Sequence, residues 1–153
     1  MDVVKSQKPP YKSWFKIGEV ARRLDIAVET IRMYEREGIF IPEKTSSGQR
    51  IFNEADIHWI ACIRRLIKEQ GLNIEGIRRL LALLPCWELR PCREEERNIC
   101  PAYQGSQRPC WTMKEQIPES CRAENCRTCA VYQSAIQCEN IKPLLIKTFK
   151  HEG

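Results

Sequence analysis

Apolar and polar positions alternate along the first half of the chain with the spacing of short amphipathic helices. In the first predicted helix, over 16–24, the apolar residues fall at positions i, i+3, i+4 and i+7: Ile17, Val20, Ala21 and Leu24. A turn at 25–27 leads to a second predicted helix over 28–37. Gly38 suits the end of this helix, because glycine adopts the left-handed cap conformation without strain. The two segments predict a helix-turn-helix.

A β-hairpin and two further helices are predicted to follow. Short extended segments at 39–41 and 50–52, separated by serine and glycine, predict the two strands of a wing. Asn53 is a typical helix cap with acidic residues in the turn behind it. Asn73 caps the next predicted helix, and Pro85 closes it. These elements together supply enough apolar residues for one compact core.

The pattern changes abruptly after residue 85. Residues 86–138 contain few aliphatic side chains, several prolines and eight of the chain's nine cysteines. Such a segment cannot build a core from leucine and isoleucine, so we expect something else to cross-link it. Residues 139–153 return to an amphipathic pattern. They predict a tail that covers the cysteine-rich segment or joins a dimer interface.

The predicted fold is therefore mainly α, with a winged helix-turn-helix followed by a small irregular module that metal or cysteine cross-links stabilise. The predicted segments are a flexible leader at 1–13, a winged helix-turn-helix domain at 14–85, a cysteine-rich module at 86–138 and an amphipathic tail at 139–153. The formal net charge is +5. The first 85 residues hold 15 Lys and Arg against 11 Asp and Glu, and the remainder holds 10 against 9. The basic excess lies where phosphate attraction requires it.

Other features of the sequence limit the compartment and the function. No apolar run is long enough to cross a membrane, and the N-terminal residues lack the apolar core of a signal peptide. We therefore expect a cytoplasmic protein, in which dense cysteines indicate metal ligation rather than a disulfide framework. We predict no enzyme, because there is no Ser-His-Asp arrangement, no glycine-rich phosphate loop and only two histidines.

Three motifs carry a resemblance to a known family. They are Ile17-Gly-Glu-Val-Ala21, Thr30-Ile-Arg-Met-Tyr-Glu-Arg-Glu-Gly38 and Ser47-Gly-Gln-Arg-Ile-Phe52. Residues 14–84 resemble the DNA-binding domain of the MerR family of bacterial transcription regulators. Within them, the segment at 71–77 is similar to the HspR branch of heat-shock repressors.

The resemblance implies a winged helix-turn-helix that binds a double-stranded DNA operator as a homodimer. It also implies RNA polymerase as a further partner. Family members of the activating type have a long coiled-coil helix after this domain, but here Pro85 stands at that point. Simple repression is therefore as compatible with the chain as activation.

The predicted DNA contacts lie on the second helix and on the wing. Arg32 and Arg36 are four residues apart and share one helical face. By the resemblance, Arg32 works at the groove, Tyr34 at the DNA backbone and Arg50 on the wing. The full predicted set is Thr30, Arg32, Tyr34, Arg36, Lys44, Ser47 and Arg50. In the alternative interpretation, Tyr34 is a core aromatic residue and Arg36 an ordinary exposed charge.

The spacing of the cysteines predicts a metal centre. Cys126 and Cys129 form a Cys-x2-Cys pair, which chelates one metal through a tight turn, and Cys121 precedes them in a Cys-x4-Cys spacing. The predicted ligands are Cys86, Cys92, Cys100, Cys110, Cys121, Cys126, Cys129 and Cys138. Three forms of the centre remain open: an iron–sulfur cluster, structural zinc, and a thiol–disulfide switch. Cys62 is expected to be a small buried hydrophobic residue.

The leading hypothesis is a sequence-specific transcription regulator that senses redox state or metal through a cysteine-ligated centre. A second hypothesis keeps DNA binding but makes the cysteine module a static zinc scaffold for a protein partner. A third, an iron–sulfur electron carrier, would reduce a partner without binding DNA.

Overall fold

The computed structural model describes residues 13–138, so most of the predicted leader and all of the predicted tail lie outside the described residues. The structure is mainly helical and begins with the predicted helix-turn-helix. Its elements are strand β1 (Phe15–Lys16), helix α1 (Ile17–Leu24) and helix α2 (Val28–Arg36). Asp25 ends α1 in the left-handed conformation, with φ of 54°. Because this cap turns the chain sharply, α2 packs back across α1.

The wing is a small antiparallel sheet with strand order β1-β3-β2, in which β2 is Glu43–Lys44 and β3 is Arg50–Phe52. The prediction of a strand at 39–41 is wrong. Ile39 and Phe40 are 0% and 2% exposed, and they enter the core instead of pairing in the sheet. Their apolar character matched a strand, but it reflects burial beneath the wing.

Two helices complete the first core. Helix α3 (Glu54–Lys68) begins with a capping box, in which Asn53 and Asp56 each accept a hydrogen bond from the other's backbone N–H. Helix α4 (Ile74–Ala82) is capped by Asn73, as the sequence predicts. The side chains that are least exposed in this core are Val20, Ile31, Ile39, Phe52, Ile60, Ile63 and Ile77.

Residues 86–138 fold into short helical pieces that lie against the helix-turn-helix core. These pieces are α5 (Cys86–Leu89), α6 (Glu94–Ile99), a 3₁₀ turn (Cys110–Thr112), α7 (Glu119–Arg122), a second 3₁₀ turn (Cys126–Thr128) and α8 (Ala130–Ala135). Helix α8 inserts Val131, Tyr132 and Ala135 into the same apolar cluster as helices α1 to α4. The rest of the module has only a small cluster of its own, formed by Cys100, Met113 and Ile117.

Candidate DNA interface and cysteine cavity

Helix α2 presents two arginines on its outer side. Arg32 and Arg36 are exposed, and both face the carboxylate of Glu29, at N–O distances of 3.9 Å and 2.7 Å. Thr30 is half-buried at the start of the same helix. The acidic side chain holds the two guanidinium groups on one face of the helix. DNA can replace this carboxylate, because phosphates and guanine edges accept the same arginine hydrogen bonds.

The wing presents a second set of cationic and polar groups. Lys44 and Ser47 are exposed, and the Ser47 hydroxyl lies 2.9 Å from that of Thr45. Arg50 forms a two-pronged contact with Glu35 of α2, at 2.5 Å and 2.9 Å. These hydrogen bonds lower the pKa of the Glu35 carboxyl. The pair therefore fixes the wing arginine against the recognition helix.

One surface groove joins these elements, and it includes residues that the sequence analysis missed. It is lined by Lys16, Ile17, Gly18, Glu19, Arg22, Arg32, Gly48, Gln49 and Arg50. Lys16 and Arg22 bring two further positive charges, from the edge of the sheet and from α1. In the sequence, Lys16 and Arg22 are basic residues at the two ends of the first helix. Helical periodicity alone could not predict that both lie beside the wing.

Tyr34 does not lie on this surface. Its side chain is 3% exposed and belongs to the core, which corrects the prediction that it contacts the DNA backbone. Tyr34 follows Ile31 by three residues, so the helical period places both on the inner face of α2. Burial raises the pKa of the Tyr34 hydroxyl.

Seven free cysteines line a single cavity of about 40 Å³ in the cysteine module. They are Cys86, Cys92, Cys100, Cys110, Cys121, Cys126 and Cys129. Trp111 and Tyr132 close the cavity on the side of the DNA-binding domain, and their rings meet edge to face at 5.2 Å. The structure therefore brings together every predicted cysteine ligand except Cys138.

Burial and crowding oppose ionisation of these thiols. Burial first, and then the neighbouring thiols, raise the pKa of Cys86 and of Cys110 to about 12. The neighbours of Cys110 in this respect are Cys86, Cys126, Cys129 and Cys121. Thiolates can accumulate at such a place only if a cation balances their charge, which is what a bound metal centre does.

Two arginines stand at the rim of the cavity. Arg90 donates from Nη1 to the Cys121 sulfur at 3.2 Å and from Nη2 to Glu124 at 3.1 Å. The Arg97 guanidinium lies over the ring of Tyr103, which lines the cavity, and the Cys92 side chain raises the pKa of this guanidinium. Hydrogen bonds from guanidinium groups favour sulfur in its negatively charged form.

Cys138 lies away from the cavity and forms a disulfide with Cys62 of α3. Its prediction as a metal ligand is therefore wrong, because its sulfur is already bonded. The prediction for Cys62 is incomplete: this residue is 2% exposed but is cross-linked. Among residues 13–138, no three His, Cys, Asp or Glu side chains converge closely enough to hold one metal ion. The thiols of the cavity surround a space and do not meet at a point.

The cavity adjoins the end of the recognition helix. Trp111 donates from Nε1 to the carbonyl of Gly38, at 2.6 Å. Gly38 has φ of 78°, and a Cβ atom there would lie 2.5 Å from Thr112. The segment after Cys110 therefore rests directly on the turn that follows α2.

No helix in the described residues is long and apolar enough to span a membrane.

Comparison with known proteins agrees with this geometry. Residues 15–84 match the family described as MerR HTH family regulatory protein. The chain is 25% identical over 131 residues to the HTH-type transcriptional regulator ZntR of Escherichia coli (strain K12), which covers 85% of this chain and 92% of that protein. Because it spans 131 residues, this alignment extends beyond the helix-turn-helix domain. No solved structure matches the chain.

Two other relatives match over shorter stretches of the chain. A mercuric resistance operon regulatory protein of Bacillus cereus is 35% identical over 81 residues, or 52% of this chain and 60% of the relative. The putative heat shock protein HspR of Streptomyces coelicolor is 28% identical over 69 residues, or 45% of this chain and 46% of the relative. The groove, the recognition helix and these matches lead to one conclusion: residues 15–84 form a helix-turn-helix domain of the MerR family of regulatory proteins.

Proposed function

We propose that this chain is a cytoplasmic, dimeric transcription regulator that senses redox state or metal through a centre bound in the cysteine cavity. The observation that carries the proposal is the convergence of seven free thiols on one small cavity beside the end of the recognition helix. A sensor needs a responsive group in contact with the element that reads DNA. The cavity meets this requirement through Trp111 and Gly38.

On the DNA side, α2 enters the major groove and the wing contacts the flanking phosphates. Arg32 and Arg36 read the groove, with Thr30 at its edge, while Lys44, Ser47 and Arg50 hold the backbone. Two copies bind the two halves of a near-palindromic operator. Helix α4 exposes Leu80, and Leu83 is exposed directly after its end; this apolar surface is the proposed contact between copies. RNA polymerase is the proposed partner at the promoter.

On the sensing side, the residues fit an iron–sulfur cluster. The donor set is composed of thiols, and thiolates are the usual ligands of such clusters. A single ion requires sulfur atoms about 2.3 Å from one point, whereas a cluster of several metal atoms accepts thiolates that surround a wider space. A bound cluster supplies reversible electron transfer and sensitivity to oxidants. Arg90 and Arg97 would stabilise the negative charge of its ligands.

Structural zinc is the second candidate. It is favoured by the way that α8 shares the core of the DNA-binding domain, since a module packed in this way can also act as a fixed scaffold. Zinc would require three or four of the thiols to move together into a tetrahedron. In this case the affinity for DNA would not respond to oxidation.

Metal analysis of protein purified without oxygen tests the proposal. We expect iron and acid-labile sulfide in near-equal amounts, together with a visible absorption band that bleaches in air. Cys110→Ser should reduce the iron content and the band, because Cys110 lies among four other cavity thiols. Cys62→Ser is the matched control, since Cys62 lies outside the cavity, and it should retain both. Zinc without sulfide or colour would favour the scaffold, and protein that binds neither metal would contradict the proposal.

A further inference from the structure

Arg127 lies inside the Cys-x2-Cys pair, between Cys126 and Cys129, but its side chain points away from the cavity. It is a buried arginine, 7% exposed, and it makes a two-pronged ion pair with Asp56. The distances from Nη1 to Oδ1 and from Nη2 to Oδ2 are both 2.8 Å. Its Nη1 also donates to the carbonyl of Ile41 at 2.7 Å. One side chain therefore connects the cysteine pair to two different parts of the DNA-binding domain.

Asp56 lies at the base of the wing, where β3 leads into α3. It is 1% exposed and belongs to the capping box that begins α3, directly behind strand β3. Its Oδ2 accepts a hydrogen bond from the backbone N–H of Asn53, at 2.9 Å. The carboxylate that receives Arg127 therefore also fixes the junction between β3 and α3.

Ile41 lies in the segment that leads from the recognition helix to β2 of the wing. Besides accepting from Arg127, it donates from its backbone N–H to the hydroxyl of Tyr132, at 2.9 Å. Glu43 of β2 adds a weaker ion pair with Arg127, at 3.6 Å. Strand β2, the segment before it and the junction between β3 and α3 are thus anchored to residues 127–132 of the cysteine module.

The position of Arg127 depends on the cysteine turn that carries it. Asn125 accepts from the backbone N–H of Arg127 at 3.1 Å, and Gln133 donates to its carbonyl at 2.6 Å. Helix α8, which follows the turn, packs into the main apolar core, whereas Cys126 and Cys129 line the cavity, so ligation at these two cysteines would fix both ends of the turn. Packed contacts of this kind respond to a small displacement by breaking and do not stretch.

We propose that Arg127 is the coupling residue of this regulator: it transmits the state of the centre at Cys126 and Cys129 to the wing through Asp56 and Ile41. This inference rests on the proposed function, since it requires a responsive centre in the cavity. With the centre intact, the turn holds Arg127 in place and the wing is fixed for DNA binding. When the centre is lost, the ion pair is released, the wing loses its anchor, and the affinity for DNA falls.

The test compares DNA affinity with and without the centre. The probe is a fluorescent duplex that the wild-type protein selects from a random-sequence pool under anaerobic conditions. We expect wild-type protein to bind it about 5- to 150-fold more tightly with the centre than after chelation. In Asp56→Asn/Arg127→Met the ratio should fall to near one, at unchanged metal content. The double variant leaves no buried charge without a partner, which protects the fold.

Two further variants make the result decisive. Arg127→Lys keeps the charge but loses the two-pronged contact, so its ratio should lie between those of the wild type and the double variant. Arg122→Met is the matched control: Arg122 is exposed, makes no ion pair among residues 13–138 and lies next to Cys121, and its ratio should equal that of the wild type.

The proposal is overturned if the double variant and Arg127→Lys keep the wild-type ratio. It is also overturned if both variants lose the metal, because Arg127 would then hold the centre and not couple it. Failure of the proposed function is seen separately, as wild-type protein that contains no metal.

Discussion

Different interactions stabilise the two halves of this chain. The helix-turn-helix half buries isoleucine, valine and phenylalanine side chains in a continuous core, and Ile31, Ile60 and Ile63 are 1% exposed or less. Apart from α8, which joins that core, the cysteine module has a separate cluster of three buried residues and a cavity surrounded by thiols. The stability of an apolar core does not depend on the redox state, whereas the stability of a module built around thiols depends on what binds in its cavity. In the proposed function, the first half binds DNA and the second half responds to a signal.

Removal of the metal should affect the two halves unequally, and this is the largest effect that we expect. A strong chelator, added without oxygen, should abolish protection from amide exchange in 86–129 but leave it in α1 and α3. Helix α8 should respond less than the rest of the module, because it packs into the apolar core. Equal loss of protection in both halves would mean that the cavity supports the whole fold.

Truncating a side chain in the apolar core should have the opposite effect: it should destabilise the fold without removing the metal. Ile60→Ala removes a fully buried side chain from α3 and should lower the free energy of unfolding by about 2–5 kcal/mol. The metal content per folded chain should not change. Ile99→Ala is the control, since Ile99 is 72% exposed, and denaturant titration should show little effect. A loss of metal in Ile60→Ala would remove the distinction between the halves.

Loss of a groove contact should weaken DNA binding without affecting the cavity. Arg32→Ala should weaken binding to the selected duplex by about 1–3 kcal/mol, because it removes a donor from the recognition helix. Arg122→Ala, on the exposed surface of the cysteine module, is the matched control. Fluorescence anisotropy measures both. If Arg32→Ala binds as tightly as wild-type protein, our assignment of the groove face is wrong.

The smallest effect concerns the rim of the cavity. Arg90→Met removes a positive charge and a hydrogen bond to the Cys121 sulfur, so the reduction potential of the centre should fall. A loss of 1.4 kcal/mol would correspond to about 59 mV for one electron. Arg93→Met is the control, because Arg93 is exposed and pairs only with Glu96 among the described residues. Spectroscopic redox titration that finds equal potentials would exclude a role for Arg90.

The sequence predicted the helix-turn-helix well because its information is local. Helical spacing located α1 and α2, and the caps at Asn53 and Asn73 located the starts of α3 and α4. The same reasoning misplaced the first strand of the wing, since buried apolar residues such as Phe40 have the same composition as strand residues.

The arrangement of the cysteine module could not be predicted in this way. Its contacts join residues far apart in the chain: Arg127 to Asp56, and Cys62 to Cys138. Nothing local marked Arg127 as buried, because arginine between two cysteines is typical of an exposed turn. The number and type of the cysteines indicated a shared site, but only the fold separated Cys138 from the other seven.

The most direct test of this account is the affinity of wild-type protein for one selected duplex, before and after the metal is removed from the same sample. We expect binding to weaken by at least about 5-fold when the metal leaves, and to recover when the centre is rebuilt. Equal affinity in both states, with loss of the metal verified by analysis, would show that the cysteine cavity does not control DNA binding.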